Sequence, residues 1–299
     1  SAPPQWAPDL SGQGSRVHGD WLREYLGAPQ PIRPAGPQPG LGGQMPDFDL
    51  SPAEGEAIAS FLENQVVDDL PAWEPDALTP FSMQKAETLL RDRWSCLGCH
   101  QLGDDGGRVA PRLDGIAARL RPEFLRRLIE APGHVSPGTV MPASLEQPDR
   151  LDLMASFLLQ RRGDWTGAEH LASLPEATLG GGSVMDRRLA PGEPKTGEAL
   201  YQSQCAVCHG VEGQGDGFNA SFLPTAPTVH AAADSMSLRP DDTLYDGIHA
   251  GGWILGKSHR MPAFGASLSS DQIRSLVTYI RELCQCQGPA WSRDGRRGQ

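Results

Sequence analysis

Two short motifs, Cys96-Leu97-Gly98-Cys99-His100 and Cys205-Ala206-Val207-Cys208-His209, hold four of the six cysteines of this 299-residue chain. Cys-x-x-Cys-His is the pattern by which c-type haem is attached: both thiols add to vinyl groups of the porphyrin, and the adjacent histidine nitrogen binds the iron from one side. Two intervening residues set the sulfurs across one turn, and the next residue aims its imidazole at the metal. Paired cysteines also build tetrahedral zinc sites. A four-cysteine zinc site would have to gather pairs more than 100 residues apart and would leave both histidines idle. The spacing therefore predicts two covalently bound haems c, with Cys96, Cys99, Cys205 and Cys208 as thioether positions and His100 and His209 as axial iron ligands.

Each motif has a candidate for the opposite face of the iron. "GTVMPAS" follows the first and supplies Met141; "SHRMPAFGASLS" follows the second and supplies Met261. A thioether favours ferrous iron, so His/Met ligation raises the reduction potential and suits electron transfer. The proline after each methionine fixes the local backbone and keeps it out of the helix beyond. His134, His230, His249 and His259 are competing ligands, each expected as a surface or loop histidine. The elements that must hold these residues read as helices, because every strong apolar period is near 3.6 and none is near 2. Helices are expected at about 51–64, 82–95, 122–130, 148–161, 195–205, 241–249 and 269–283. In the last, Ile273, Leu276, Val277 and Ile280 share one face, and Ser269 with Gln272 forms a capping-box pair. The fold class is all-α, with long loops around the haem.

Both units resemble class I c-type cytochromes. The second carries the resemblance best, in "GEALYQSQCAVCHGVEGQGDG", "DDTLYDGIHAGGW", the Met261 loop and "LSSDQIRSLVTYIREL". The resemblance implies that the helix leading into the haem motif crosses the closing helix, with Leu276 and Tyr279 at the contact. It also implies haem attachment outside the bacterial cytoplasmic membrane, hence a periplasmic location.

The chain also repeats itself. At an offset of 103, "APDLSGQGSRVHGDWLREYLGAP" (7–29) pairs without a gap with "APRLDGIAARLRPEFLRRLIEAP" (110–132), and at an offset of 96 Met45-Pro46 pairs with Met141-Pro142 and "ASFL" at 59–62 with "ASFL" at 155–158. Residues 1–66 therefore read as a partial cytochrome c-like domain lacking Cys-x-x-Cys-His. The offset applied to His100 lands at position −3, ahead of Ser1. Three explanations are open: a longer natural polypeptide with a third haem and Met45 as its ligand; a front half supplied by another chain; or a haem-free lobe used for docking. A half-domain of this size would struggle to bury enough apolar surface alone.

Composition supports this organisation. Glycine (35) and proline (27) make up about a fifth of the chain, so loops are abundant and a bound cofactor can replace missing apolar core. Residues 67–80 read as a linker, 81–162 as a cytochrome c domain with haem, 163–194 as a second linker, 195–286 as another cytochrome c domain with haem, and 287–299 as a basic tail. Cys284 and Cys286 lie outside any haem motif; a local disulfide, a bond to another chain and free thiols are all open, and a local bond requires the helix to have ended. No apolar stretch approaches the roughly 20 residues of a membrane-spanning helix. The net charge of −11 argues against a nucleic-acid partner, and residues 1–75, with 3 basic and 11 acidic side chains, form an acidic lobe that reads either as a docking face for a cationic partner or as a solvated surface.

Together these features lead to the expectation of a periplasmic multihaem cytochrome that passes single electrons from a respiratory or dehydrogenase donor to a cytochrome or terminal reductase, as a subunit of a membrane electron-transfer complex, with no small-molecule substrate. The alternative is a dihaem enzyme such as a peroxidase or a thiosulfate-oxidising cytochrome. An enzyme needs one iron with a displaceable ligand and acid/base residues beside it. The sequence offers a Met-Pro candidate for both irons and no such constellation.

Overall fold

The computed structural model describes residues 9–29, 32, 45–67, 70–137, 139–144, 147–161 and 196–293. It is predominantly helical, as an all-α cytochrome c fold requires. The linker expected at 163–194 lies outside the described residues, as does the tail from 294 onward.

Local sequence accounts for where the helices start. Ser51 accepts from the Glu54 amide and Glu54 reaches back, closing a capping box before the Pro52–Glu63 helix. Thr79 caps Pro80–Asp92 through the Ser82 amide, two residues earlier than the expected start, because a proline at the first helical position costs no hydrogen bond. Proline also opens Pro122–Glu130 and Pro148–Gln160. Thr196 caps Gly197–Leu200, which runs through a π-turn, Tyr201–Cys205, into Ala206–His209. The expected capping box of Ser269 and Gln272 opens Ser270–Cys284, after the helix Asp241–Ala250. Short helices at Gln13–Arg16, Gly19–Gly27 and Ile116–Arg119 and a small hairpin, Gln101–Leu102 with Asp105–Gly106, carry no expectation from periodicity; the elements of four residues or fewer are too short to show a period.

Among the described residues the buried apolar side chains form two clusters. One runs from Val17 to Leu158 and so joins both sequence repeats; the other runs from Leu200 to Cys284. Within the first, the repeat is visible as architecture. Gln13–Arg16 and Gly19–Gly27 have counterparts at Ile116–Arg119 and Pro122–Glu130, and Pro52–Glu63 has its counterpart at Pro148–Gln160. The two copies meet where Val17 pairs with Leu120, positions related by the offset of 103. His18 N–H donates to Arg119 O at 3.0 Å and Arg121 N–H donates to Arg16 O at 3.1 Å. Donor and acceptor exchange roles under the same offset, so the repeats face each other across a local two-fold axis, an isologous contact within one chain. Arg16 adds a cation–π contact with Phe124, 5.3 Å from the ring centre.

In the second cluster, Gly197 lets the helix entering the haem motif approach Ser270–Cys284. A β-carbon there would lie 2.0 Å from Ser275 O. Leu276 is fully buried beside this crossing, and Tyr279 stacks at a tilt on Tyr201, 5.3 Å between ring centres. The Ser270–Cys284 helix ends at Gln285, whose φ of 48° breaks the spiral and lets Cys284 bond Cys286. Of the three alternatives for these cysteines, the structure has the local disulfide.

Candidate functional site

Both Cys-x-x-Cys-His motifs are wound as single tight turns. In the first, His100 N–H and Cys99 N–H both donate to Cys96 O, at 2.8 and 3.2 Å. The loop after it folds back over the turn: Gly107 N–H donates to Leu97 O and Ala110 N–H to Cys99 O, both at 3.0 Å. This return needs a glycine at 106, where φ is +99° and a β-carbon would lie 2.2 Å from His100 O. It delivers the Pro111 carbonyl to His100 Nδ1 at 2.6 Å. In the second motif Gly215 N–H donates to His209 O at 2.7 Å and Gly217 N–H to Cys208 O at 3.2 Å, and His209 Nδ1 meets the Thr228 carbonyl at 2.9 Å.

These two histidine contacts have the same consequence. A carbonyl can only accept, so Nδ1 carries the proton in both rings and Nε2 is left as the basic, metal-binding nitrogen. Burial acts in the same direction at His209, pushing its pKa below the ordinary histidine value, against the raising effect of the Thr228 bond. Burial pushes the Cys99 and Cys205 thiols up to about 12 and raises Cys208 as well. Buried thiolates would be costly there, whereas thioethers carry no charge. Two thiols outside any disulfide and a histidine whose Nδ1 is tied to a carbonyl, held on one turn, fit covalent haem in each motif. Among the described residues no group of three or more His, Cys, Asp or Glu is arranged to hold a metal ion.

The Met261 loop is fixed at its base. Met261 is partly buried against the second core cluster. Its carbonyl accepts from Gly252 N–H at 3.2 Å, while Phe264 and Gly265 N–H bind the carbonyls of Ile248 and His249. Gly251, with φ of +88°, ends the Asp241–Ala250 helix and makes that approach possible. Met141 is partly buried, with its N–H on Thr139 Oγ1, and Met45 is half exposed. The competing histidines separate clearly. His259 Nε2 meets Arg91 O at 2.6 Å. His249 lies beside Tyr245, and His134 lies in the Pro132–Val135 turn. His230 lies in a turn, within the expected surface or loop setting, but it is buried, bonded to the Tyr201 hydroxyl, and stacked on His209 at 4.1 Å. Two rings stacked face to face cannot aim nitrogens at one iron from opposite sides, so His230 acts as a wall beside His209. Burial and the neighbouring His209 hold it well below the ordinary histidine pKa.

Residues 192–280 match the family described as "Cytochrome C oxidase, cbb3-type, subunit III". The matched segment contains Cys205, Cys208, His209 and Met261, and it supports a c-type cytochrome with covalently bound haem and a role in electron transfer. No curated protein and no solved structure matches the chain. No helix among the described residues is long and apolar enough to cross a membrane.

Two further residues have no signal in the sequence: Asn219, from "GFNAS", and Arg260, which precedes Met261. Both are buried where the two attachment turns meet.

Proposed function

We propose that the chain is a periplasmic multihaem c-type cytochrome passing single electrons from a respiratory or dehydrogenase donor to a cytochrome or terminal reductase, within a membrane electron-transfer complex. The observation that carries this reading is the recurrence, in two motifs over 100 residues apart, of one arrangement: paired thiols on a turn and a histidine whose Nδ1 is tied to a carbonyl. When bound, each haem supplies a one-electron couple at an iron that gains and loses no ligand. The chain's residues do the rest. Cys96, Cys99, Cys205 and Cys208 would tether the cofactor, His100 and His209 would present Nε2, and Met141 and Met261 would offer sulfur from separate loops. The family description, which names an oxidase subunit, supports a respiratory complex as the setting.

The same reading extends to the first repeat. On the Pro148–Gln160 helix, Met154 and Phe157 are 3% and 1% exposed, and this helix packs against Pro80–Asp92. Their counterparts on Pro52–Glu63, Ile58 and Phe61, are 37% and 65% exposed. This difference supports a missing cover equivalent to Pro80–Asp92 and its haem motif, with Met45 as the iron ligand of a third haem if that motif lies upstream or on another chain. Optical and paramagnetic spectra of the haem-loaded chain test the assignment. Low-spin haems in both oxidation states are expected; a high-spin haem that binds carbon monoxide would favour the enzyme reading and refute a pure carrier.

A further inference from the structure

The two attachment turns touch, and the contact is built from buried polar groups. Asn219 is fully buried. Its carboxamide oxygen accepts from Arg108 N–H at 2.9 Å, and its nitrogen donates to Gly98 O at 2.6 Å and to Cys208 Sγ at 3.4 Å. One side chain thus bonds a cysteine of the second motif and the backbone inside the first, using both kinds of amide capacity. A thioether sulfur still accepts, so the bond to Cys208 is compatible with haem attachment. Arg260 makes a second tie. It is 7% exposed, donates to Leu97 O at 3.1 Å, and pairs with Asp105 at 2.9 Å.

The backbones are as close as glycine permits. A β-carbon on Gly98 would lie 2.0 Å from Arg260 O, and one on Gly107 would lie 2.7 Å from the Asn219 carboxamide oxygen. A buried amide is costly unless satisfied, and Asn219 is satisfied at both its oxygen and its nitrogen, so this joint favours one arrangement of the turns.

We propose that Asn219, seconded by Arg260, is a positioning residue that holds the two haem-attachment turns edge to edge, so that the two haems behave as one coupled pair. The proposal rests on the reading that each turn carries a haem. Its consequence is a direct path between the two centres that needs no intervening carrier and no motion of one unit against the other.

The test uses the full haem-loaded chain, with Asn219→Ala and Gly107→Ala, whose β-carbon would lie 2.6 Å from Gly98 O, compared with the parent for haem content, absorption, Soret circular dichroism and equilibrium redox titration. The parent is expected to show two haems and a Soret couplet of opposed lobes, the signature of neighbouring chromophores. Both variants are expected to keep two low-spin haems but to lose the couplet, and their two titration steps become independent. Gly107→Ala removes no side-chain polar group and lies outside both attachment motifs, so it decides by the same criteria if Asn219→Ala fails to load. A couplet retained in the variants, or a two-haem parent without one, overturns the coupling. A parent that lacks two haems overturns the function proposed above instead.

Discussion

Replacing Gly197 by alanine should reverse the usual sign of a glycine-to-alanine change in a helix. Alanine is favoured over glycine in helices by up to about 1 kcal/mol. Here the new β-carbon would lie 2.0 Å from Ser275 O and 3.1 Å from Tyr279 Cβ. The first obstacle is backbone, so no rotamer relieves it, and the Gly197–Leu200 helix must retreat by about 1 Å or more to restore ordinary contact. That retreat loosens the packing of Leu200, Tyr201 and Leu276, all essentially fully buried. Overpacking of this kind costs about 1–3 kcal/mol. The net expectation is a loss of about 1–2 kcal/mol, which at a typical urea dependence lowers the unfolding midpoint by about 0.5–1 M. The assay is urea unfolding of the haem-loaded chain, followed in the Soret band and by far-ultraviolet circular dichroism. Gly55→Ala is the control, since beyond its own stretch of helix backbone nothing lies within 4 Å of its β-position; its stability should hold or rise. An equal rise for Gly197→Ala would refute the close helix crossing that feeds the second haem motif.

Met261→Ala should lower the potential of the second haem and open its iron to small ligands, read by redox titration and carbon monoxide binding; an unchanged spectrum and potential would assign the ligand to another residue. Phe157→Ala should cost about 3–5 kcal/mol in denaturant unfolding, as for a buried aromatic. Phe61→Ala should cost far less in this chain, and equal losses would show that Phe61 is already covered. Arg23 holds the Glu56 carboxyl down to about 2, and Arg23 lies on Gly19–Gly27 while Glu56 lies on Pro52–Glu63. A depressed carboxyl stabilises above its ordinary value of 4.5 and loses that contribution as pH falls towards 2, so acid should loosen this helix pair in the parent and Glu56→Gln should flatten the dependence. Because Glu56 is solvent-exposed, the effect is small and should fade with salt.

The parts of the structure legible in the sequence are those specified locally. The Cys-x-x-Cys-His spacing carries its chemistry within five residues, and the Ser270–Cys284 helix announces both its apolar face and its cap. The internal repeat was visible as a pair of offsets, but the local two-fold that joins Val17 to Leu120 depends on how two copies pack, which no window of sequence encodes. Asn219 and Arg260 were illegible for the same reason: their partners at Gly98 and Leu97 are 121 and 163 residues away. A lone asparagine in a loop reads as a turn residue, and only the fold turns it into a bridge. The loop position of His230 was legible, but its burial was not, because a single histidine gives no sign of packing against another. The Cys284–Cys286 bond depended on where the helix stops, and the left-handed Gln285 supplies that stop.

The most direct test of the account is the haem-to-protein ratio from an alkaline pyridine spectrum, read with the intact mass of the same purified 299-residue chain. The account predicts two haems that survive denaturation and add their full mass to the polypeptide. Fewer than two, or haem released on denaturation, would contradict covalent attachment at Cys96, Cys99, Cys205 and Cys208.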